Sequence, residues 1–293
     1  MNAAVVLMAY GSPERLADVP AYYADIRGGR PIAPEHLADL VERYRRLGIE
    51  ESSPLNAITE QTRAALEAEL GLPVFAGMKH WTPRIADAAE LAVSSGAEQV
   101  VGLVLAPHYS ALSIAGYREQ LERALGRRAE PRFVDSWHDE PGFVELLADR
   151  VRGADAHVVF TAHSLPARIL DSGDPYRDQL LETSRLVAEA AGLAAWTFSF
   201  QSESPTGEPW LGPDILDHLE SLRRQGVERV LVCPVGFVSD HLEIRWDLDV
   251  EAQEKAAELG LQLERIGMPN ADPAFVRTLA TIVRRALSVP SLA

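Results

Sequence analysis

Two spacings of apolar residues alternate along this chain. Short continuous runs of apolar or β-branched residues, as at 3–9 and 157–162, are typical of strands that are buried on both faces of a sheet. Longer stretches with apolar residues three and four positions apart, as at 178–191, are typical of amphipathic helices. Because the two patterns take turns from end to end, the sequence predicts an α/β fold built on parallel sheets.

The pattern predicts four strands in each half of the chain. The predicted strands are 3–9, 74–78, 99–106 and 132–137 in the first half, and 157–162, 196–200, 229–235 and 262–266 in the second. The predicted helices are 33–47, 59–70, 84–95, 116–125, 178–191, 214–225 and 273–286. We expect a ligand site to be built on the long connections at 28–34, 48–54 and 202–213.

The two halves also resemble each other in sequence. The segment GAEQV at 96–100 precedes the third strand of the first half, and GVERV at 226–230 precedes the third strand of the second. This repetition predicts two similar Rossmann-like domains, 1–150 and 151–293, each with a four-stranded parallel sheet and with an active-site cleft between them. The sequence leaves open whether the last helix, 273–286, packs back onto the first domain.

Composition excludes several classes of protein. A net charge of −15 argues against nucleic acid or an anionic membrane as the partner. No apolar run approaches the length of a membrane span and no basic leader precedes the first strand, so we expect a cytoplasmic, monomeric protein without an integral membrane segment. The single cysteine, Cys233, excludes an intrachain disulfide and a cysteine-ligated iron–sulfur cluster. The glycine-rich nucleotide motifs are absent, which argues against a nucleotide cofactor.

Titratable side chains follow two of the predicted strands. Ala9-Tyr10 ends the first strand, and Ala162-His163 ends the first strand of the second half. Ligands bind at the carboxyl ends of strands in open α/β sheets, so a phenol and an imidazole are expected to face one cleft. The remaining histidines are weaker candidates. His80, His138 and His241 could contribute to the site, whereas His36, His108, His157 and His218 are expected to be structural.

A second stretch, 234–251, carries three evenly spaced carboxylates. If a helix begins near Asp240, the side chains of Glu243, Asp247 and Glu251 share one helix face. Like charges four residues apart repel each other, so this face is either simply solvated or a track that passes a divalent cation or protons toward Glu243. An imidazole, neutral near neutral pH, and a carboxylate in one cleft form a loose site for a divalent metal or a proton-transfer pair.

Ten short motifs then match one protein family in the order in which that family carries them. They are MAYGSP at 8–13, YYADIR at 22–27, RY at 43–44, SPL at 53–55, LAPHYS at 105–110, AHSLP at 162–166, GDPY at 173–176, QS at 201–202, PWLGPD at 209–214 and PVGFVSDHLE at 234–243. On these residues the chain resembles the ferrochelatases, and most closely the soluble bacterial coproporphyrin III ferrochelatases. The cysteines that bind a [2Fe–2S] cluster in some ferrochelatases are missing here.

The resemblance implies that ferrous iron, as a substrate, is inserted into a porphyrin held between the two domains. It implies that His163 and Glu243 share iron binding and removal of the pyrrole protons, and that Tyr10 reaches the opposite porphyrin face. The residues that it matches to contacts with the macrocycle or its propionates are Arg27, Arg43, Tyr44, Ser53 and Tyr117. It matches Asp247 and Glu251 to an outer acidic metal site.

The substrates implied by the resemblance are coproporphyrin III and Fe²⁺, and the product is Fe-coproporphyrin III, which a downstream enzyme of haem synthesis would accept. The clustering of arginines in the first 46 residues agrees with a substrate that carries propionates. Three alternatives stay open at this point. They are protoporphyrin IX as the porphyrin, cobalt or another metal as the ion, and a haem-binding protein of the same fold without turnover.

Overall fold

Two four-stranded parallel sheets form the framework of the protein. The computed structural model describes residues 2–48, 54–204 and 206–289. The strands are β1 (Ala3–Ala9), β2 (Val74–Met78), β3 (Gln99–Val104), β4 (Glu130–Val134), β5 (His157–His163), β6 (Trp196–Gln201), β7 (Arg229–Cys233) and β8 (Gln262–Arg265). Their order is β2-β1-β3-β4 in one sheet and β6-β5-β7-β8 in the other. The predicted fold class is therefore confirmed.

Helices cover both sheets. They are α1 (Val19–Ile26), α2 (Pro34–Arg46), α3 (Pro54–Leu70), α4 (Ile85–Ser94), α5 (Ile114–Leu125), α6 (Pro141–Val151), α7 (Tyr176–Ala191), α8 (Ile215–Arg224), α9 (Ala252–Leu259) and α10 (Pro273–Ser288). A π-helix, Ile244–Glu251, leads directly into α9, and short 3-10 helices lie at Leu16–Asp18 and Ala167–Ser172. In the part of the chain that the structure describes, no helix is long and apolar enough to cross a membrane.

Strand pairing shows that Tyr10 and His163 are equivalent positions. Ala4 of β1 pairs with Val100 of β3, and His157 of β5 pairs with Val230 of β7. Val100 and Val230 are also the last residues of the two matching sequence segments. Six residues beyond each pair, Tyr10 and His163 stand at the carboxyl ends of two equivalent inner strands.

Several predicted boundaries differ from the structure, and three of them have a clear local reason. Strands β3 and β7 end at Val104 and Cys233, ahead of Pro107 and Pro234, because proline cannot donate to a strand ladder. Helix α3 extends back to Pro54 rather than beginning at Thr59, whose hydroxyl donates to the Leu55 carbonyl at 2.8 Å inside the helix. Proline is favoured in the first turn of a helix, so Pro54 is a suitable residue there.

The carboxylate-bearing helix also differs from the prediction. Its first helical residue is Leu242 rather than Asp240, and Ile244–Glu251 has the wider π-helical winding. π-Helical segments are rare, and they are frequently found at functional sites.

The two halves share one apolar core. Its largest cluster combines Leu7 of β1 and Phe160 of β5 with Phe143 of α6 and Phe275 of α10. Helix α10 packs against α3, β3 and β4 of the first half and against α6. The segment after β3 is tied to the second half as well, because the Ser110 hydroxyl donates to the Asp174 carboxylate at 3.0 Å. These contacts place the carboxyl ends of both sheets at one cleft.

Candidate active site

His163 and Glu243 form an ion pair in the cleft. The buried strand β5 ends on His163, whose Nε2 lies 3.6 Å from Glu243 Oε1. Nδ1 of His163 donates a hydrogen bond to the Ser164 carbonyl, and the Tyr176 hydroxyl donates to the His163 carbonyl at 2.9 Å. The imidazole is therefore held with Nε2 directed at the carboxylate. On the other side of that carboxylate, His241 Nε2 lies 3.5 Å from Glu243 Oε2.

The charged forms of His163 and Glu243 stabilise each other. Partial burial alone would lower the pKa of His163, but the adjacent Glu243 carboxylate raises it to about 9. Burial would raise the pKa of Glu243, but the charge of His163 and hydrogen bonding to both imidazoles hold it well below its usual value. At neutral pH the unliganded protein therefore carries an imidazolium–carboxylate pair, which differs from the neutral imidazole expected from sequence.

Tyr10 faces this pair from the first half of the protein. Tyr10 is 41 % exposed and otherwise covered by protein, whereas the strand that precedes it is buried. Desolvation in the cleft raises the pKa of the phenol well above 10, and the negative charge of Glu243 raises it further. Tyr10 is therefore neutral at physiological pH.

A chain of polar contacts supports Tyr10 from behind. Its ring centroid lies 4.6 Å from that of His80, and the His80 Nδ1 lies 2.9 Å from an oxygen of Asp25. Arg84 donates to both oxygens of Asp25, at 3.0 and 3.2 Å. Burial would raise the pKa of Asp25, but the hydrogen bonds from Arg84 and His80 lower it. These contacts fix one side of the Tyr10 ring.

Asp247 lies in the π-helix, four residues after Glu243, and is buried. The Ser202 hydroxyl donates to Oδ2 of Asp247, and Gln201 Nε2 lies 3.4 Å from the same oxygen. Burial and the negative charge of Glu243 raise the pKa of Asp247 to about 7, so this carboxyl group can exchange a proton near neutral pH. Gln201 and Ser202 belong to a matched motif, but sequence reasoning gave them no role.

Glu251 is the outermost carboxylate of the three. Its Oε1 accepts a hydrogen bond from Trp246 Nε1 at 2.7 Å and lies 3.8 Å from Arg43. Asp247 and Glu251 line a cavity of about 140 Å³ together with Arg43 and Asp214. Across residues 2–48, 54–204 and 206–289, no three or more His, Cys, Asp and Glu side chains form a group that could hold a metal ion.

Two arginines of α2, in the first half of the protein, contact the π-helix. The guanidinium groups of Arg43 and Arg46 lie 5.1 and 4.8 Å from the ring centre of Trp246. Arg46 also lies 3.3 Å from Glu254. Arg27, at the end of α1, has a buried Nε without a hydrogen-bond partner among the described residues, so it retains a free donor.

The remaining predicted porphyrin contacts are less exposed than expected. The side chains of Tyr44 and Tyr117 are 2 % and 4 % exposed. The Tyr44 hydroxyl lies 3.5 Å from the Ser12 hydroxyl, and the Tyr117 ring is covered by the ammonium of Lys79 at 4.8 Å. Both tyrosine side chains are therefore buried, and these contacts lie within the first half of the protein. Ser53 lies outside the described residues.

Comparison with a known structure addresses the fold. The structure of SirB from Bacillus subtilis with Fe³⁺ superimposes with a TM-score of 0.63 and covers 98 % of this chain and 96 % of its own. Because its sequence identity is only 12 %, this match supports the chelatase-like two-domain fold and nothing further.

Comparison with known sequences addresses the family. The ferrochelatase of Herpetosiphon aurantiacus is 46 % identical, over 96 % of this chain and 98 % of its own length. The coproporphyrin III ferrochelatase of Halalkalibacterium halodurans is 40 % identical, over 97 % of each chain. The family model described as Ferrochelatase matches residues 2–287. A match that spans both sheets and the whole cleft between them leaves one conclusion, that this chain belongs to the ferrochelatase family.

Proposed function

We propose that this ferrochelatase inserts Fe²⁺ into coproporphyrin III and that His163, Glu243 and Tyr10 are the residues closest to the reaction. The observation that carries the proposal is that Tyr10 and His163 stand at equivalent strand ends of the two sheets, with Tyr10 near enough to Glu243 for that carboxylate to raise the pKa of the phenol. A flat macrocycle in that cleft presents one face to a neutral phenol and the other to an imidazole–carboxylate pair. Metal insertion needs a base beside at least one face.

The proton balance of the reaction explains why a pair is useful. Fe²⁺ replaces two pyrrole protons, so each turnover releases two protons from the porphyrin. In the unliganded protein the His163 imidazole is already protonated, so it must release that proton before it can accept another or bind iron. The positive charge of Fe²⁺ near Glu243 weakens the hold of this carboxylate on the imidazolium and favours that release.

Asp247 is the next acceptor for protons in this proposal. Its pKa of about 7 means that it can both take up and release a proton at neutral pH. Gln201 holds the two residues in position, because its Nε2 donates to the backbone carbonyl of Glu243 at 3.3 Å and lies 3.4 Å from the Asp247 carboxyl group. The Glu251 carboxylate continues the track outward and concentrates cations at its mouth.

The choice of coproporphyrin III rests on charge and on relatives. Its four propionates need cationic partners. Arg27 retains a guanidinium N–H without a partner among the described residues, and Arg43 lies beside the π-helix at Trp246 and Glu251. Relatives described as coproporphyrin III ferrochelatases are about 40 % identical to this chain. By the same resemblance, we assign the reaction to a monomer in the cytoplasm that passes its product to a downstream enzyme of haem synthesis.

An anaerobic absorbance assay tests the proposal. The purified protein is mixed with Fe²⁺ and either coproporphyrin III or protoporphyrin IX, and conversion of the free-base bands to the metalloporphyrin spectrum is followed. We expect a kcat/KM at least about tenfold higher for coproporphyrin III, since four carboxylates form more charge-assisted bonds than two. Equal values would refute the substrate assignment, and binding without any metal insertion would indicate a haem-binding protein instead.

A further inference from the structure

Lysine is rare in this protein, and one of its lysines lies beside the strand end that carries Tyr10. Of the 28 basic residues only Lys79 and Lys255 are lysines. Lys255 has the usual surroundings of a surface lysine, since it pairs with Glu220 and lies 4.0 Å from Glu258. Lys79, in contrast, has no carboxylate partner among the described residues.

The position of Lys79 is set by the first sheet. It follows β2 directly, and its backbone N–H donates to the Ala9 carbonyl at 2.9 Å, next to Tyr10. Its side chain reaches the segment before α5, where Nζ donates to the Ser113 carbonyl at 3.0 Å. Since β1 lies between β2 and the strand that leads to α5, the side chain spans the strand end that carries Tyr10.

The surroundings of the ammonium group are neutral. Besides the Ser113 carbonyl, it contacts the face of the Tyr117 ring, 4.8 Å from the ring centre. Among the described residues, no carboxylate lies within ion-pair distance of Nζ, and partial burial lowers its pKa. A partly buried cation without an anionic partner is unfavourable unless a ligand supplies the opposite charge.

The neighbouring helix leaves room for this group. A Cβ atom at Gly116 of α5 would lie 3.2 Å from Nζ and 3.3 Å from Cε of Lys79, so a side chain there would crowd the ammonium. Any larger residue would force Lys79 to move.

We propose that Lys79 binds a carboxylate of the substrate, specifically a propionate of the porphyrin that lies against Tyr10. This inference rests on the proposed function, and it adds a cationic contact beside the arginines of the first half. An ammonium is a compact charge with three donors, of which the Ser113 carbonyl uses one. A propionate that extends from the edge of the macrocycle over the Tyr10 strand end accepts from the remaining donors.

Porphyrin affinity in the absence of iron tests the proposal without depending on catalysis. Quenching of porphyrin fluorescence gives the Kd for coproporphyrin III in the wild type and in the variants Lys79→Met, Lys79→Arg and Lys255→Met. We expect Lys79→Met to raise the Kd about tenfold, as for loss of one charge-assisted hydrogen bond, with a smaller loss at high salt. Lys79→Arg, which keeps the charge, should stay within about threefold of the wild type.

Lys255→Met is the matched control, because it removes the same side chain from a half-buried position where Glu220 and Glu258 already supply the opposite charge. A Kd for Lys79→Met within twofold of the wild type would overturn the proposal, and so would an equal loss of affinity in Lys255→Met. If the wild type binds no porphyrin at all, the proposed function is refuted, and so is the role of Lys79 in porphyrin binding. If the wild type binds porphyrin and inserts iron, and Lys79→Met has the same porphyrin Kd, the role of Lys79 alone is refuted.

A second measurement on the unsubstituted protein does not depend on whether the variant folds. Acetylation by an amine-selective reagent, followed by mass spectrometry, reports the modification rates of Lys79 and Lys255 separately. Saturating coproporphyrin III should slow the acetylation of Lys79 several-fold and leave Lys255 unchanged. An unchanged rate at Lys79 under saturating porphyrin would overturn the assignment.

Discussion

Replacing Glu243 by Gln should remove a pH dependence of stability that the His163–Glu243 pair creates. The carboxylate raises the pKa of His163 to about 9 in the folded protein, whereas an imidazole of the unfolded chain titrates near pH ~6.5. A group with a raised pKa stabilises the fold fully below its unfolded pKa, and this contribution is lost as the pH rises through the folded pKa. The wild type should therefore lose stability between about pH 7 and 9.5.

The magnitude follows from the pKa difference and from solvent exposure. A rise from 6.5 to about 9 corresponds to about 3 kcal/mol for a pair that is shielded from water. The side chains of His163 and Glu243 are 30 % and 36 % exposed, so solvent screening reduces this to about 2 kcal/mol. In Glu243→Gln, burial keeps the His163 imidazole neutral across the window, and the free energy of unfolding should lose this slope.

Urea unfolding followed by tryptophan fluorescence across this pH range measures the effect. The difference between wild type and variant cancels the contribution of groups that both proteins share. Glu182→Gln is the matched control, because it removes a carboxylate that lies 3.0 Å from another imidazole, that of His138. It should retain the wild-type slope. Equal slopes for wild type and Glu243→Gln would refute the reasoning, as would an equal change in the control.

Three further variants test other parts of the site. His163→Ala should lower the rate of iron insertion at least about 100-fold and leave the porphyrin Kd within about tenfold, measured by absorbance and by fluorescence quenching; near-normal turnover would remove His163 from the mechanism. Asp247→Asn combined with Glu251→Gln should raise the KM for Fe²⁺ about threefold at low salt and less at high salt, and an unchanged KM with a raised melting temperature would indicate a merely solvated helix face. Gly236→Ala should lower the free energy of unfolding by about 2 kcal/mol and slow iron insertion, because the added Cβ would lie 2.8 Å from the Cα of Ala162, next to His163. A variant of normal stability and activity would show that β5 can shift to accommodate the methyl group.

Much of the framework could be predicted because parallel strands buried on both faces are continuous apolar runs. All eight predicted strands overlap the observed ones, and the sequence repeat placed Tyr10 and His163 correctly at equivalent ends. The errors at strand and helix ends occur where proline and local hydrogen bonding decide the boundary rather than the apolar pattern. The helices α1, α6 and α9 are not among the predicted ones.

The π-helix could not be predicted from the same pattern. Carboxylates at Glu243, Asp247 and Glu251 share a face in either winding, so their spacing does not distinguish an α-helix from a π-helix. The hydrogen bond from Trp246 to Glu251 joins side chains five residues apart, but this contact within the helix has no sequence signature. Lys79 was missed for a related reason, since a single lysine outside any motif carries no signal until its surroundings are known.

Tyr10 and His163 occupy the same place in two copies of one fold. In a symmetric homodimer of a single copy, a flat ligand at the shared interface would meet the same residue on both faces, because every substitution is made twice. Fusion of the two copies into one chain removes that constraint, so that one copy can diverge while the other is preserved. Two copies in one chain can therefore form a directional pocket, with a neutral side at Tyr10 and a charged side at His163.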